Sequence, residues 1–242
     1  MRLDKLLANS GFGSRKEVTG LCKKGLVTVD GEVCKRGETH VDPSKNKVCV
    51  GEHIIEYEKY SYLMMNKPKG VISATFDEEH ETVVDLLEER YVFADIFPVG
   101  RLDKDTTGLL ILSNDGGFAH RALSPKKKIA KVYHAQLDSA INQDCIANFL
   151  AGMDINDHNG SFKSAPAGLE SLKDCNTFVK VEVYEGKYHQ VKRMFAHLGI
   201  DVLELKRVEF AGLLLDADLD EGQYRRLNDA ELAKISNLLS KD

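Results

Sequence analysis

The 242-residue chain has few of the features that mark an extracellular or membrane protein. Its five cysteines are an odd number and form no C-x-x-C pair, which argues against a disulfide framework and a zinc knuckle. No run of about 18 consecutive apolar residues occurs, and the first residues contain no apolar stretch, so we expect neither a membrane span nor a signal peptide. A reducing cytoplasm is the simplest setting for such a chain.

Proline is also scarce, with 5 residues, and glycine, with 19, is not enriched, while 43% of the chain is hydrophobic and 29% is charged. This composition indicates a folded soluble protein and excludes a disordered or fibrous one. The length predicts one large domain or two unequal ones. The net charge of -5 argues against indiscriminate coating of nucleic acid or anionic membrane, because such binding needs a broad excess of positive charge.

The charge is unevenly distributed along the chain. Residues 1–50 contain ten Lys or Arg and six Asp or Glu, so they carry +4 and the remaining 192 residues carry -9. We therefore predict a small basic domain joined to a larger acidic one. The acidic segment from Gly51 to Lys59, which includes Glu56, marks the junction, and the predicted domains are residues 1–58 and 59–242.

The first domain has clear local signals for helices and a hairpin. Leucine spacing predicts a helix from about Arg2 to Ala8. Ser14 and Glu17 form a capping-box pattern, which predicts the start of a second helix that ends near Lys24. Two apolar segments flank the pair Asp30-Gly31, a strong signal for a β-hairpin.

The second helix has a basic edge, which by itself is as typical of a solvated surface as of a binding site. The pattern R-L-D-K-L-L, S-R-K-E and G-L-V-T-V-D-G over residues 1–48, however, resembles the S4 RNA-binding domain. The resemblance implies docking on structured RNA through phosphate contacts, with recognition by shape. The residues implied to make these contacts are Arg2, Arg15, Lys16, Lys23 and Lys24.

Short apolar segments and scattered helices alternate through the rest of the chain, without a regular βαβ order. This pattern predicts an α+β fold with a mixed, mostly antiparallel sheet and flanking helices. The predicted strands are residues 62–66, 71–75, 109–112, 132–137, 177–184 and 202–210. The predicted helices are residues 83–91, 117–123 and 190–198.

A polar, turn-rich loop precedes the buried strand at 109–112, and it contains Asp103 between Arg101 and Lys104. Neighbouring cations stabilise an ionised carboxylate, so Asp103 is a candidate nucleophile or base. The alternative is that Asp103, Asp105 and the adjacent threonines only make turn hydrogen bonds.

The loop sequence G-R-L-D-K-D-T-T-G-L-L closely resembles the catalytic motif of the pseudouridine synthases. Two further segments match motifs of these enzymes: K-V-Y at 131–133 and G-K-Y-H-Q-V-K-R-M at 186–194. The likeness extends over nearly the whole chain. It is strongest to the RsuA family, the branch that has an N-terminal S4 domain and modifies small-subunit ribosomal RNA.

This resemblance implies an isomerase that converts a uridine to pseudouridine without any cofactor or metal ion. It implies that Asp103 starts cleavage of the bond between N1 and C1′, that Tyr133 stacks on the flipped uracil, and that Lys192 pairs with Asp103. Arg101 and Lys131 would contact the RNA. Whether Asp103 attacks the sugar or removes a proton from it stays open.

The implied partner is 16S ribosomal RNA or a small-subunit assembly intermediate, with uridine 516 as the target. We expect a monomer that binds no membrane and no nucleotide cofactor. The alternatives are a pseudouridine synthase for a 23S ribosomal RNA site and a non-catalytic RNA-binding assembly factor. A carboxylate-based nucleoside hydrolase would need a second carboxylate across the bond, and the sequence offers no convincing candidate.

Overall fold

The computed structural model describes residues 1–55, 58–172 and 176–240. Glu56, which lies in the predicted junction, is outside the described residues. The fold is α+β, as predicted, with a small N-terminal part and a larger part built on a mixed sheet. None of the described helices combines the length and the apolar character that a membrane crossing requires.

The first part of the chain is a helical pair on a four-stranded sheet of order β2-β1-β3-β4. Its elements are α1 (Leu3–Asn9), α2 (Arg15–Lys23), β1 (Val27–Val29), β2 (Glu32–Val33), β3 (Val48–Val50) and β4 (His53–Ile54). The predicted capping box is present, because Ser14 and Glu17 bond each other's backbone N–H. The predicted hairpin at Asp30-Gly31 joins β1 to β2.

These elements enclose a small core of their own. Leu3, Leu6 and Leu7 on α1 pack against Val18 and Cys22 on α2, and all five side chains are buried. The apolar residues of the two helices therefore face inward, as their spacing predicts. The charged residues of α2 are left on the surface.

The larger part of the chain, in the residues that the structure describes, is built on one nine-stranded sheet. Its strands are β5 (Tyr62–Lys67), β6 (Phe97–Val99), β7 (Thr107–Ser113), β8 (Lys131–Leu137), β11 (Gly168–Ser171), β12 (Phe178–Val183), β13 (Val202–Phe210), β14 (Leu213–Leu214) and β15 (Tyr224–Arg226). Their order is β11-β12-β8-β13-β7-β5-β15, with β14 paired to β13 and β6 paired to β7. Only β7 and β13 pair in parallel among the described strands.

Among the described residues, five α-helices flank this sheet, and a separate hairpin lies beside it. The helices are α3 (Glu89–Phe93), α4 (Gly116–Leu123), α5 (Gln143–Ala151), α6 (Gln190–His197) and α7 (Asp229–Ser240). The hairpin consists of β9 (Asp154–Asp157) and β10 (Gly160–Lys163). It lies close to α6, the helix that carries Lys192.

Both faces of the sheet are covered by apolar side chains. Along β7, Leu110 and Leu112 belong to one core, whereas Leu109 and Ile111 belong to the other. Successive side chains of a strand point to opposite faces, so a continuous apolar strand supplies both cores.

The strand predicted for residues 71–75 is not present. Ile72 makes an isolated bridge to Thr82, and its N–H donates to the carbonyl oxygen of Glu81 at 3.0 Å. The segment therefore folds back on residues 81–83 instead of joining the sheet. Ser73 then meets the loop that follows β6, because its Oγ bonds both the N–H and the carbonyl oxygen of Leu102 at 3.0 Å.

The helix predicted for residues 83–91 is reduced to its last part, α3. Residues 83–87 form turns instead. Oδ2 of Asp85 accepts hydrogen bonds from both the N–H and the hydroxyl of Thr82, each at 2.8 Å. Such local side-chain bonds offer the backbone an alternative to the helix.

Candidate active site

The loop between β6 and β7, residues 100–106, brings Asp103 to the surface of the sheet. The loop begins at Gly100, whose φ of 83° is readily adopted only by glycine. It is closed by a turn in which the N–H of Thr106 donates to the carbonyl oxygen of Asp103 at 3.0 Å. The side chain of Asp103 is partly buried.

Lys67, at the end of β5, lies underneath this loop and is fully buried. Its Nζ donates to the carbonyl oxygens of Pro68 and Thr106 at 3.0 Å and of Lys104 at 3.4 Å. Burial lowers the pKa of Lys67 to about 8, although the charges of Asp103 and Asp105 act in the opposite direction. The ammonium group therefore fixes the backbone on both sides of Asp105.

Two cationic or ionisable side chains from the α6 region approach Asp103. Nζ of Lys192 lies 3.4 Å from Oδ2 of Asp103, so the two residues that the sequence motifs single out do lie together. Nε2 of His189 lies 3.4 Å from Oδ1 of the same carboxylate. One carboxylate oxygen thus faces a lysine and the other faces an imidazole.

Lys192 also contacts a second acid in the loop. Its Nζ lies 2.5 Å from Oδ1 of Asp105, closer than it lies to Asp103. Burial favours the protonated form of Asp105, but the hydrogen bond and charge of Lys192 outweigh it and lower the pKa of this carboxyl group. Lys192 is therefore shared between two carboxylates.

Buried polar contacts hold α6 in position. Arg193 donates from Nε and Nη2 to the carboxylate of Asp157 at 2.8 and 3.0 Å, which joins α6 to the β9–β10 hairpin. Gln190 donates to Glu185 at 2.8 Å. Because bidentate Arg–carboxylate pairs define orientation as well as distance, these contacts fix the helix that carries Lys192.

Tyr133 lies on β8 and is 9% exposed. On the sheet it is the register partner of Val181 on β12 and of Arg207 on β13. It belongs to the same core as Leu102, the residue that precedes Asp103. The structure therefore connects Tyr133 with the Asp103 loop through a shared apolar core.

Lys131, which we expect to contact RNA, is only 9% exposed in this structure. Its Nζ donates to the carbonyl oxygen of Ile129 at 3.1 Å and lies 5.6 Å from the centre of the Phe210 ring. Burial and the nearby charge of Arg207 lower the pKa of Lys131 to about 8. Side chains alternate along β8, so Lys131 points to the same face as Tyr133 and not to solvent.

The other cations predicted to contact RNA lie at the surface. Arg101 is exposed in the loop that carries Asp103, and Arg15, Lys16, Lys23 and Lys24 are exposed on or just after α2. Arg2 is half-exposed but already has a partner, because its Nη2 lies 2.6 Å from Oδ2 of the buried Asp4. Its guanidinium therefore stabilises the first helix whether or not it also meets RNA.

Three residues of the site were not predicted as site residues from the sequence: Lys67, Asp105 and His189. Asp105 lies inside the matched segment G-R-L-D-K-D-T-T-G-L-L and His189 inside G-K-Y-H-Q-V-K-R-M, which was the available signal for these two residues. Within the described part of the chain, no group of three or more His, Cys, Asp and Glu is arranged to hold a metal ion.

The family model described as RNA pseudouridylate synthase matches residues 61–197, and the S4 domain model matches residues 1–46. A relative in Bacillus subtilis, the uncharacterized RNA pseudouridine synthase YtzG, is 47% identical over 96% of this chain and 97% of its own length. The ribosomal small subunit pseudouridine synthase A of Escherichia coli K12 is 37% identical over 97% of this chain and 100% of its own length. The protein of the same name from Vibrio cholerae is 40% identical, over 97% and 99%.

A solved structure described as a crystal structure of pseudouridylate synthase superposes with a TM-score of 0.67 at 32% identity, over 97% of this chain and 99% of that chain. The chain therefore belongs to the RNA pseudouridylate synthase family, with an S4 domain preceding the synthase fold. Its activity is the isomerisation of uridine to pseudouridine in RNA.

Proposed function

We propose that this enzyme modifies small-subunit ribosomal RNA, and that its target is uridine 516 of the 16S molecule. The support is the full-length similarity to the E. coli and V. cholerae proteins named ribosomal small subunit pseudouridine synthase A. The substrate is either free 16S RNA or a small-subunit assembly intermediate. The enzyme works as a monomer, without a cofactor or metal ion.

The two parts of the chain have different functions, RNA binding and catalysis. Residues 1–58 anchor the RNA, because α2 presents exposed cations and the acidic remainder of the chain offers few broad phosphate-binding surfaces. Residues 59–242 carry out the reaction at Asp103. The net charge is thus positive where the RNA is held and negative in the rest of the chain.

The target uridine leaves its stack and enters the cleft at Asp103, at a cost of a few kcal/mol for unstacking. Arg101 is exposed in the same loop and contacts the RNA at the vacated position. Tyr133 stacks on the extruded uracil, which suits its flat ring. The base must displace side chains around Tyr133, because that ring is largely buried without substrate.

The reaction breaks the bond between N1 and C1′ and forms one between C5 and C1′. The proton on C5 is lost and N1 gains a proton, so no group enters or leaves overall. Asp103 starts the cleavage, either by adding to the sugar or by removing a proton from it. Both roles need the carboxylate ionised, and Lys192 places its ammonium group beside it.

The single observation that carries the assignment of the reaction to Asp103 is the 3.4 Å distance between Nζ of Lys192 and Oδ2 of Asp103. It unites two motifs that lie far apart in the sequence. It also gives the loop carboxylate a cationic partner, which a mere turn aspartate would not need. The buried Lys67 keeps the same loop in a fixed conformation.

The proposal is tested by incubating the protein with 16S and 23S ribosomal RNA, each both free and bound to ribosomal proteins, and mapping pseudouridine by sequencing. We expect one modified uridine, at position 516 of the 16S molecule. An Asp103→Asn variant serves as the matched control for nonspecific signal. Modification of a 23S site instead, or of many sites, would overturn the proposed target.

A further inference from the structure

Tyr188 is an exposed aromatic residue beside the catalytic carboxylate. It is 59% exposed, whereas aromatic rings such as Phe149 and Phe195 are buried in the core. It immediately precedes His189, whose Nε2 lies 3.4 Å from Oδ1 of Asp103. A large ring held in water next to an active site has no role in packing the core, which points to a role with the substrate.

The ring of Tyr188 is stacked on the ring of the next residue, His189. The centres of the Tyr188 and His189 rings lie 3.8 Å apart, and their planes differ by 17°. His189 thereby connects Tyr188 with Asp103. More than half of the tyrosine surface still faces solvent, so the stack can be extended by another flat group.

The backbone beneath this stack is fixed in an uncommon conformation. His189 has φ 48° and ψ 32°, a left-handed conformation that is unfavourable for residues with a side chain. The carbonyl oxygen of Tyr188 accepts from Nη1 of Arg193 at 3.5 Å, and the N–H of Arg193 donates to the carbonyl oxygen of His189 at 2.9 Å. Since Arg193 is itself buried and paired with Asp157, the platform is prepared before substrate arrives.

The chemistry of this platform suits a nucleobase. Aromatic side chains bind unpaired bases by stacking, which tolerates any base because every base has a flat face. The target uracil itself belongs at the Asp103 and Tyr133 site. When that nucleotide is extruded, its neighbours lose a stacking partner, and an exposed ring close to the carboxylate replaces it.

We propose that Tyr188, stacked on His189, is a binding platform for the base of a nucleotide adjacent to the target uridine. This inference rests on the proposed function, since it requires RNA in the Asp103 cleft. It adds a contact outside the catalytic residues and outside the S4 domain. Because the contact lies next to Asp103, it aligns the flanking strand at the reaction site.

The test uses a 16S RNA fragment that contains the target uridine, with the fluorescent base 2-aminopurine replacing the nucleotide on its 5′ or 3′ side. We expect wild-type protein and Tyr188→Phe to quench one of the two fluorescent RNAs by stacking. Tyr188→Ala should lose that quenching and bind RNA about 5- to 30-fold more weakly. Its KM should rise by the same factor, while kcat changes about twofold or less.

Tyr184→Ala is the matched control, because Tyr184 is also an exposed tyrosine but bonds Glu182 through its hydroxyl. It should behave as wild type. Unchanged quenching and KM in Tyr188→Ala would overturn the inference, as would a defect limited to protein-bound RNA, which would indicate a protein contact. If wild-type enzyme modifies none of the ribosomal RNAs, the proposed function fails instead, so the two failures are distinguishable.

Discussion

Nζ of Lys192 lies 3.4 Å from Oδ2 of Asp103 and 2.5 Å from Oδ1 of Asp105, so one ammonium group serves two carboxylates of the same loop. The closer contact is with the residue that we do not propose as catalytic. Variants of Lys192, Asp105 and Asp103 separate the roles of these three residues.

Lys192→Met should fold and still bind RNA, because the side chain keeps its length and the buried anchors of α6 are untouched. It should lower kcat about 10- to 100-fold, the range expected when a charged hydrogen-bond partner is lost. Lys192→Arg keeps the charge and should retain most of the activity. Single-turnover assays with saturating enzyme measure the effect, and equal rates for the Met and Arg variants would contradict it.

Asp105→Asn should have little effect on turnover, about fivefold or less, because exposed ion pairs contribute little free energy. The change removes one of the two carboxylates that contact Lys192, so that Asp103 becomes the only carboxylate paired with it among the described residues. The test compares the kcat of Asp105→Asn with those of the wild-type protein and of Asp103→Asn. A loss as large as that of Asp103→Asn would mean that Asp105 takes a direct part in the reaction.

Lys67→Met should change the pH dependence of stability. Burial lowers the pKa of Lys67 from 10.5 to about 8, so between those pH values the unfolded chain binds more protons than the folded one. Stability contributed by this group therefore rises as the pH increases from about 8 to about 10.5.

Wild-type protein should accordingly gain stability relative to Lys67→Met across that pH range. Urea unfolding of both proteins at several pH values measures the difference. The pKa of Lys131 is also lowered to about 8, but Lys131 is present in both proteins, so its contribution to the pH dependence of stability cancels in the comparison. A stability difference that stays constant, or that changes in the other direction, would show that burial does not lower the pKa of Lys67.

The S4 cations should act through RNA phosphates. Arg15→Ala and Lys16→Ala should each weaken RNA binding and reduce the slope of log affinity against log salt concentration by about 1. Lys45→Ala is a suitable control, because Lys45 lies in the same domain, is 80% exposed and is paired with Asp42. Filter binding at several salt concentrations measures the slopes. Equal slopes for all variants would argue against the assigned RNA surface.

Features fixed by neighbouring residues were predictable from the sequence. The Ser14–Glu17 capping box and the Asp30-Gly31 hairpin depend on bonds within a few residues, and both are present. The strand at Val202–Phe210 matches its predicted limits. The predicted helix over 83–91 is largely wrong, because the Thr82–Asp85 hydrogen bonds are as local as a helix and compete with it.

Contacts between distant segments were not predictable in the same way. The Lys192–Asp103 pair was expected only through the family motifs, since nothing local links the two residues. Lys67 beneath the loop and His189 beside Asp103 depend on how β5, β7 and α6 come together. The burial of Lys131 could have been predicted from the sequence pattern. Lys131 alternates along β8 with Tyr133, Ala135 and Leu137, so it shares a face of the sheet with these three buried residues.

The most direct test of the account is pseudouridine formation by Asp103→Asn on the RNA that wild-type enzyme modifies. The variant keeps the size of the side chain and removes its charge. We predict that it folds with wild-type Tm, binds the RNA with an affinity close to that of wild type, and forms no pseudouridine even at excess enzyme. Measurable turnover by this variant would contradict the central role of Asp103.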